Sequence, residues 1–166
     1  MKKIVLALIL AAGCVALCAC DNGNSSGGSS DQNGVQNEVT KSPSEKAAEL
    51  LEKVEFPEMV ELSGEMIVES FLGIAESDLS EYHGYRCVAG AHPDEFGILV
   101  ANDLDTAVKL KDAVGEWVEY QIVLYRDYTP SEVYKLEDSF VILDEKTCTI
   151  TYAICDNNAL AREILN

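Results

Sequence analysis

A long stripe of apolar residues in the second half of the chain sets the strongest limit on its fold. The stripe runs through Ala107, Leu110, Val114 and Trp117 and continues past Gln121 to Leu124, with steps of three and four positions. This spacing is typical of one face of an α-helix. Asn102 or Asp103 can cap the first turn, and Tyr128-Thr129-Pro130 closes the helix. A one-sided helix needs a second layer, so a packed core is predicted.

Two pairs of short apolar runs predict that second layer. The first pair, 85–89 and 96–101, and the second pair, 140–143 and 148–155, each surround a turn-rich segment, which is typical of antiparallel hairpins. In the last run the side chains alternate between two faces, as in a sheet that buries one side more than the other. Further segments read as helices at 44–54, 63–73, 130–136 and 159–165, and as a short extended piece at 59–62. The order predicts an α+β fold, with a single antiparallel sheet of two hairpins packed by helices.

The first 20 residues, MKKIVLALILAAGCVALCAC, have the layout of a secretory signal: two lysines, an apolar run and small residues at the end. The final four, Leu17-Cys18-Ala19-Cys20, resemble the bacterial lipobox, in which the last Cys is lipidated and becomes the new N-terminus. Cys14 is a competing site, but it lacks a Leu three positions earlier. The resemblance implies two acyl chains on Cys20, which anchor a protein stably to a membrane.

Residues 21–43 are rich in Gly, Ser and Asn and are predicted to be a flexible linker to the domain at 44–166. A flexible segment of this length has an end-to-end distance of roughly 25 Å. The domain is therefore expected to work near the outer face of the bacterial cytoplasmic membrane, with the signal peptide removed.

The charge of the domain excludes one class of partner. Residues 43–166 contain 26 acidic and 9 basic residues, a net charge of -17. Such an excess of negative charge repels phosphate backbones, so nucleic-acid binding is not expected. The predicted partners are the membrane, through the lipid anchor, and an unknown protein or small solute.

The domain contains few groups that point to chemistry. The turn pair Asp94 and Glu95 could present ligands from a loop, although such pairs are usually solvated, and exposed tyrosines such as Tyr128 are candidates for a contact region. Cys87 with His92 is a weak nucleophile and base pair, and ordinary solvent-facing histidine is the favoured interpretation. No usual hydrolase, zinc or phosphate-binding motif is present, so no catalytic residue, metal or cofactor is predicted.

Three cysteines remain in the domain if Cys20 is lipidated. On an extracytoplasmic chain, a disulfide between Cys87 and Cys148 is chemically permitted. Cys148 and Cys155 lie seven positions apart in one strand and should face opposite sides, which disfavours that pair. Three reduced thiols are the favoured interpretation.

The order of several short motifs resembles that of a bacterial lipoprotein family known as domain of unknown function 4358, found mainly in Gram-positive anaerobes. The likeness covers about 44–166 and rests on FPEMVEL at 56–62, Gly73-Ile74, DEFGI at 94–98, YTP at 128–130 and the last hairpin. It implies an extracytoplasmic lipoprotein domain without a known activity. The three cysteines of the domain depart from the family's pattern.

These observations favour a membrane-anchored module that acts by binding and is not an enzyme. The alternative is a small extracytoplasmic hydrolase or transferase that uses carboxylates such as Glu95 in a cleft. A deep pocket with Glu95 and a second buried carboxylate would favour the enzyme, and a flat aromatic surface would favour the module.

Overall fold

The computed structural model describes residues 41–166 apart from Leu72. The predicted signal sequence, the candidate lipidation sites Cys20 and Cys14, and the predicted linker up to residue 40 lie outside the described residues. The helices are α1 (Pro43–Lys53), α2 (Gly64–Val68), α3 (Leu104–Tyr128), α4 (Val133–Glu137) and α5 (Asn158–Leu165). The strands are β1 (Met59–Leu62), β2 (Leu79–Cys87), β3 (Glu95–Ala101), β4 (Phe140–Asp144) and β5 (Thr149–Ile154), and single 3-10 turns occupy Glu76–Asp78 and Pro130–Glu132.

The strands form one antiparallel sheet in the order β1-β2-β3-β5-β4, which confirms the predicted α+β fold. Both predicted hairpins are present, as β2 with β3 and β4 with β5. The sheet nevertheless has five strands, because Met59–Leu62 pairs with the end of β2 and β3 pairs with β5. The sheet is therefore continuous and places β3 at its centre.

Both faces of the sheet are covered by helices. On one face, Leu99, Ile150 and Tyr152 pack with the apolar stripe of α3. On the other face, Phe96, Ile98 and Ala153 pack with α1 and α5. The prediction that one face of the last strand is buried much more than the other is therefore wrong. A sheet between two helical layers buries both sides of its central strands.

Helix caps explain where the elements begin. Asp103, one of the two predicted cap residues, accepts a hydrogen bond from the backbone N–H of Thr106 at 2.8 Å and begins α3. In α1 the cap is Ser42 and not Ser44, because Pro43 occupies the first helical position and Glu45 completes a capping box with Ser42. Across 41–71 and 73–166, every helix falls short of the combined length and apolarity that a bilayer crossing requires.

The register of the sheet separates two of the cysteines. The backbone N–H of Cys87 donates to Asp94 just before β3, whereas the carbonyl of Cys148 accepts from Ala101 at the other end of β3. Seven residues of extended chain span about 23 Å, and a disulfide requires Cα atoms within about 4.4–6.8 Å. A Cys87–Cys148 disulfide is thus excluded, and all three cysteines of the described domain are free.

We expect the chain 21–166 to titrate three free thiols in denaturant without reductant, because all three cysteines are free in the described domain and the sheet register separates Cys87 from Cys148. Thiol counting with and without reductant checks this result. A count of one before reduction and three after it would require a bridge that this register cannot form.

Candidate functional site

The acidic pair that opens β3 lies in the core and not in a solvated turn. Asp94 and Glu95 are 0% and 1% exposed. Because successive side chains of an extended segment point to opposite sides, the two carboxylates belong to separate clusters. The usual interpretation of such a pair, a solvated turn, is wrong here, since each carboxylate is enclosed by its own set of partners.

Glu95 lies at the centre of the first cluster, on the α3 side of the sheet. Its Oε2 accepts a hydrogen bond from Nε of Arg86 at 2.7 Å and a longer one from Nε1 of Trp117 at 3.4 Å. Its Oε1 accepts from the hydroxyl of Tyr152 at 2.8 Å. Arg86 also donates to Oγ of Ser70 at 3.1 Å. Its guanidinium carbon lies over the Trp117 ring, 5.2 Å from the ring centroid. The carboxylate is therefore neutralised and hydrogen-bonded through both oxygens.

The pairing of β3 with its two neighbours builds this cluster. Arg86 and Glu95 face each other across β2 and β3, and Gly97 lies opposite Tyr152 across β3 and β5. A Cβ atom at Gly97 would lie 2.3 Å from Cε1 of Tyr152. Glycine therefore leaves room for the Tyr152 ring to lie over β3 and reach Glu95. Burial, followed by the nearby Glu95 carboxylate, raises the pKa of Tyr152 well above its usual value, so the phenol stays protonated and donates.

Asp94 belongs to the second cluster, where α4 approaches the turn before β3. Its Oδ2 accepts a hydrogen bond from Nζ of Lys135 at 2.9 Å, and Lys135 is 4% exposed. The same ammonium lies 2.9 Å from Oε2 of Glu132 and 3.4 Å from Oδ2 of Asp156. Three carboxylates from three segments of the chain therefore surround one buried ammonium.

The charges of this cluster follow from its contacts. Burial alone would lower the pKa of Lys135, but hydrogen bonds to Asp94 and Glu132 outweigh it and raise that pKa well above its usual value. Burial raises the pKa of Asp94, and the hydrogen bond from Lys135 opposes that effect. Lys135 is thus a permanent cation, which makes it unsuitable as a nucleophile or base.

His92 lies at the open side of the second cluster. Its Nδ1 is 3.3 Å from Oε2 of Glu132, so the ring contacts a carboxylate and is not simply directed to solvent as predicted. A ring nitrogen of His92 and one carboxylate oxygen each of Asp94 and Glu132 lie within 4.8 Å of one another. Cys87 is buried at the end of β2. The proposed pairing of His92 with Cys87 therefore gains no support from the contacts of His92.

A separate groove of about 160 Å³ opens on the face of the sheet that packs with α1 and α5, beside the start of α1. Its lining combines apolar side chains with threonine hydroxyls, two lysines and the carboxylate of Asp144. Residues lining it include Lys41, Lys46, Ile98, Ile142, Thr149, Thr151 and Leu165. Lys46 donates from Nζ to the carbonyl of Leu165 at 2.7 Å, which ties α1 to α5. The groove lies where the predicted linker enters the domain.

Tyr128, the other predicted contact residue, is not part of either acidic cluster. It ends α3 and is 83% exposed, whereas Asp94 and Glu95 are buried. Tyr120 and Tyr134 are also about half exposed. The structure therefore separates the three predicted site residues into one surface position and two core positions.

Sequence reasoning missed the partners of both acids. Lys135, Glu132 and Asp156 come from segments distant from Asp94, and nothing in their local sequence marks them as partners. Arg86 lies in the same hairpin as Glu95, but the register that pairs the two could not be inferred from the sequence. Tyr152 carried the one usable signal: a tyrosine on an apolar strand face needs an acceptor for its hydroxyl. That signal indicates a buried polar group without identifying Glu95.

Comparisons of the chain with protein-family models, with curated proteins and with solved structures find no match.

Proposed function

We propose that this protein is a lipoprotein of the outer face of the bacterial cytoplasmic membrane, anchored through Cys20, and that its domain acts by binding. The proposed location at the membrane is supported by the signal-like residues 1–20, by the predicted linker that follows them and by the resemblance to domain of unknown function 4358. The binding role rests on the geometry of the domain.

The groove beside α1 is the observation that carries the binding role. The groove is lined by Ile98 and Ile142 and by the charged side chains of Lys41, Lys46 and Asp144. Its two ammonium groups outnumber its one side-chain carboxylate, which suits a small solute with an apolar body and a negative group. Its volume of about 160 Å³ is below the roughly 300–1,000 Å³ typical of sites for drug-sized ligands. A small metabolite-sized anion is therefore the proposed ligand class.

The alternative of a carboxylate-based hydrolase or transferase has less support. A general acid or base must reach a substrate proton, but Glu95 is 1% exposed and both its oxygens are engaged by Arg86, Trp117 and Tyr152. Asp94, the second buried carboxylate, is paired with Lys135 in a different cluster.

Two variants on α1 test the binding role. Lys46→Gln removes a cation from the groove, and Lys53→Gln is the matched control because Lys53 lies at the far end of the same helix and pairs with Glu49. We expect a small anion to co-purify with the full chain from its native membranes. Mass spectrometry should find it retained in Lys53→Gln and reduced at least tenfold in Lys46→Gln, and circular dichroism should show that both variants are folded.

The binding proposal fails if no small anion is recovered with the wild-type chain. It also fails if Lys46→Gln and Lys53→Gln retain the anion equally, because the groove would then not be its site.

A further inference from the structure

The cluster at His92, Asp94 and Glu132 has the donor set of a metal site. It brings one imidazole nitrogen and two carboxylate oxygens within 4.8 Å of one another. Nδ1 of His92 and Oε2 of Glu132 are 3.3 Å apart, about the separation of two ligand atoms that each lie about 2.0–2.1 Å from a tetrahedral zinc ion. Imidazole together with carboxylate suits first-row transition metals, whereas Ca²⁺ and Mg²⁺ favour oxygen alone.

An unsatisfied atom in the same cluster points independently to a ligand. Asp94 is completely buried, and its Oδ2 is held by Lys135. Its Oδ1 has no hydrogen-bond partner among the described residues. Buried polar atoms are almost always satisfied in folded proteins, so a carboxylate oxygen without a donor at this position requires a cation or a water.

The charge of the cluster favours a cation. Asp94, Glu132 and Asp156 surround the single ammonium of Lys135, which leaves two negative charges uncompensated when His92 is neutral. A divalent ion would balance them. The ammonium lies 2.9 Å from Oδ2 of Asp94 and 2.9 Å from Oε2 of Glu132, so it would orient both carboxylates while Oδ1 of Asp94 stays available.

We propose that His92, Asp94 and Glu132 bind a divalent transition-metal ion, with Asp94 contributing Oδ1. The His92 side chain is 42% exposed, so the ion can enter from solvent on that side. Three protein ligands leave a fourth position of a tetrahedral ion for water or for a solute. This site is independent of the groove beside α1, since the two share no residue.

Zinc binding to the full chain in mild detergent, after treatment with a chelator, tests the site. The main variant is His92→Gln, which replaces a partly exposed residue between β2 and β3 and removes the imidazole ligand. Its matched control is His83→Gln, because His83 also contacts a carboxylate, with Nε2 3.0 Å from Oε1 of Glu81. We expect calorimetry to show one Zn²⁺ per chain in the wild type and in His83→Gln, with at least a tenfold weaker affinity in His92→Gln.

Cobalt provides a second readout that excludes the cysteines. Co²⁺ bound at this site should show ligand-field absorption without thiolate-to-metal charge transfer, and His92→Gln should remove that absorption. Absence of stoichiometric Zn²⁺ binding in the wild type would overturn the proposal. Equal affinities in His92→Gln and His83→Gln, or a thiolate signature with Co²⁺, would also overturn it, because the metal would then bind elsewhere.

Discussion

Replacing Glu95 with alanine is expected to lower the free energy of unfolding by about 2–4 kcal/mol, less than the loss from a fully buried ion pair because the Arg86 side chain is 32% exposed. The substitution leaves Arg86 without its carboxylate and the buried hydroxyl of Tyr152 without its acceptor. Urea denaturation of the chain 21–166 measures the loss. Glu95→Gln should lose less, because an amide oxygen still accepts a hydrogen bond from Tyr152.

The matched control is Glu81→Ala. Glu81 is an exposed acid on β2, and within the described domain His83 is its one ion-pair partner. Its loss should stay below about 1 kcal/mol, as for other exposed pairs. If Glu95→Ala lost no more than Glu81→Ala, Glu95 would not be a structural ion-pair residue. The enzymatic alternative would then be favoured again.

Replacing Lys135 with methionine is expected to cost about 3–5 kcal/mol at neutral pH, because the buried Asp94 carboxylate then lacks its counter-ion. The control is Lys109→Met, which removes an exposed lysine of α3 and should change stability by less than about 0.5 kcal/mol. Urea denaturation at several pH values measures both variants. Combining Lys135→Met with Asp94→Asn should recover part of the loss, because it removes the unpaired charge.

The difference in the free energy of unfolding between the wild type and Lys135→Met should become smaller in acid, because the carboxylates around Lys135 are then protonated. In the wild type, burial raises the pKa of Glu132, but the hydrogen bond from Lys135 helps to lower it below its ordinary value. The pKa of Asp156 is lowered by the hydrogen bond from Tyr134 and, to a smaller extent, by Lys135. Their contribution is complete above their ordinary values, 4.5 and 3.8, and is lost as the pH falls below them. In the variant, burial raises the pKa of Asp94 further, so protonation relieves its unpaired charge at low pH. A difference that is constant from pH 7 to pH 3 would contradict this account of the cluster.

The fold could be predicted well from the sequence because its strongest signals are local. The three-and-four spacing from Ala107 to Leu124 lies within a single helix, and each hairpin is set by neighbouring runs and one turn. The addition of Met59–Leu62 as an edge strand and the two-sided burial of β5 depend on packing between distant elements. Those features require tertiary contacts that a single sequence does not display.

The candidate sites were much less predictable for the same physical reason. From the sequence, Asp94 and Glu95 were interpreted as part of a solvated turn, because adjacent acidic residues are usually exposed. Their burial depends on contacts with α4 and α3, which are distant in the sequence. Lys135 resembles any lysine of a short helix, and Glu132 is 38 positions from Asp94. The Cys87–Cys148 disulfide could not be excluded from the sequence, because the register that places the two residues at opposite ends of β3 could not be inferred.

Metabolic labelling with an alkyne fatty acid tests the central claim that this domain is held at the membrane by lipid on Cys20. We expect the wild-type chain and a Cys14→Ala variant to be labelled in living cells, and a Cys20→Ala variant to lose the label. Labelling that persists in Cys20→Ala, or a wild-type chain that takes up no label, would contradict the proposed anchor.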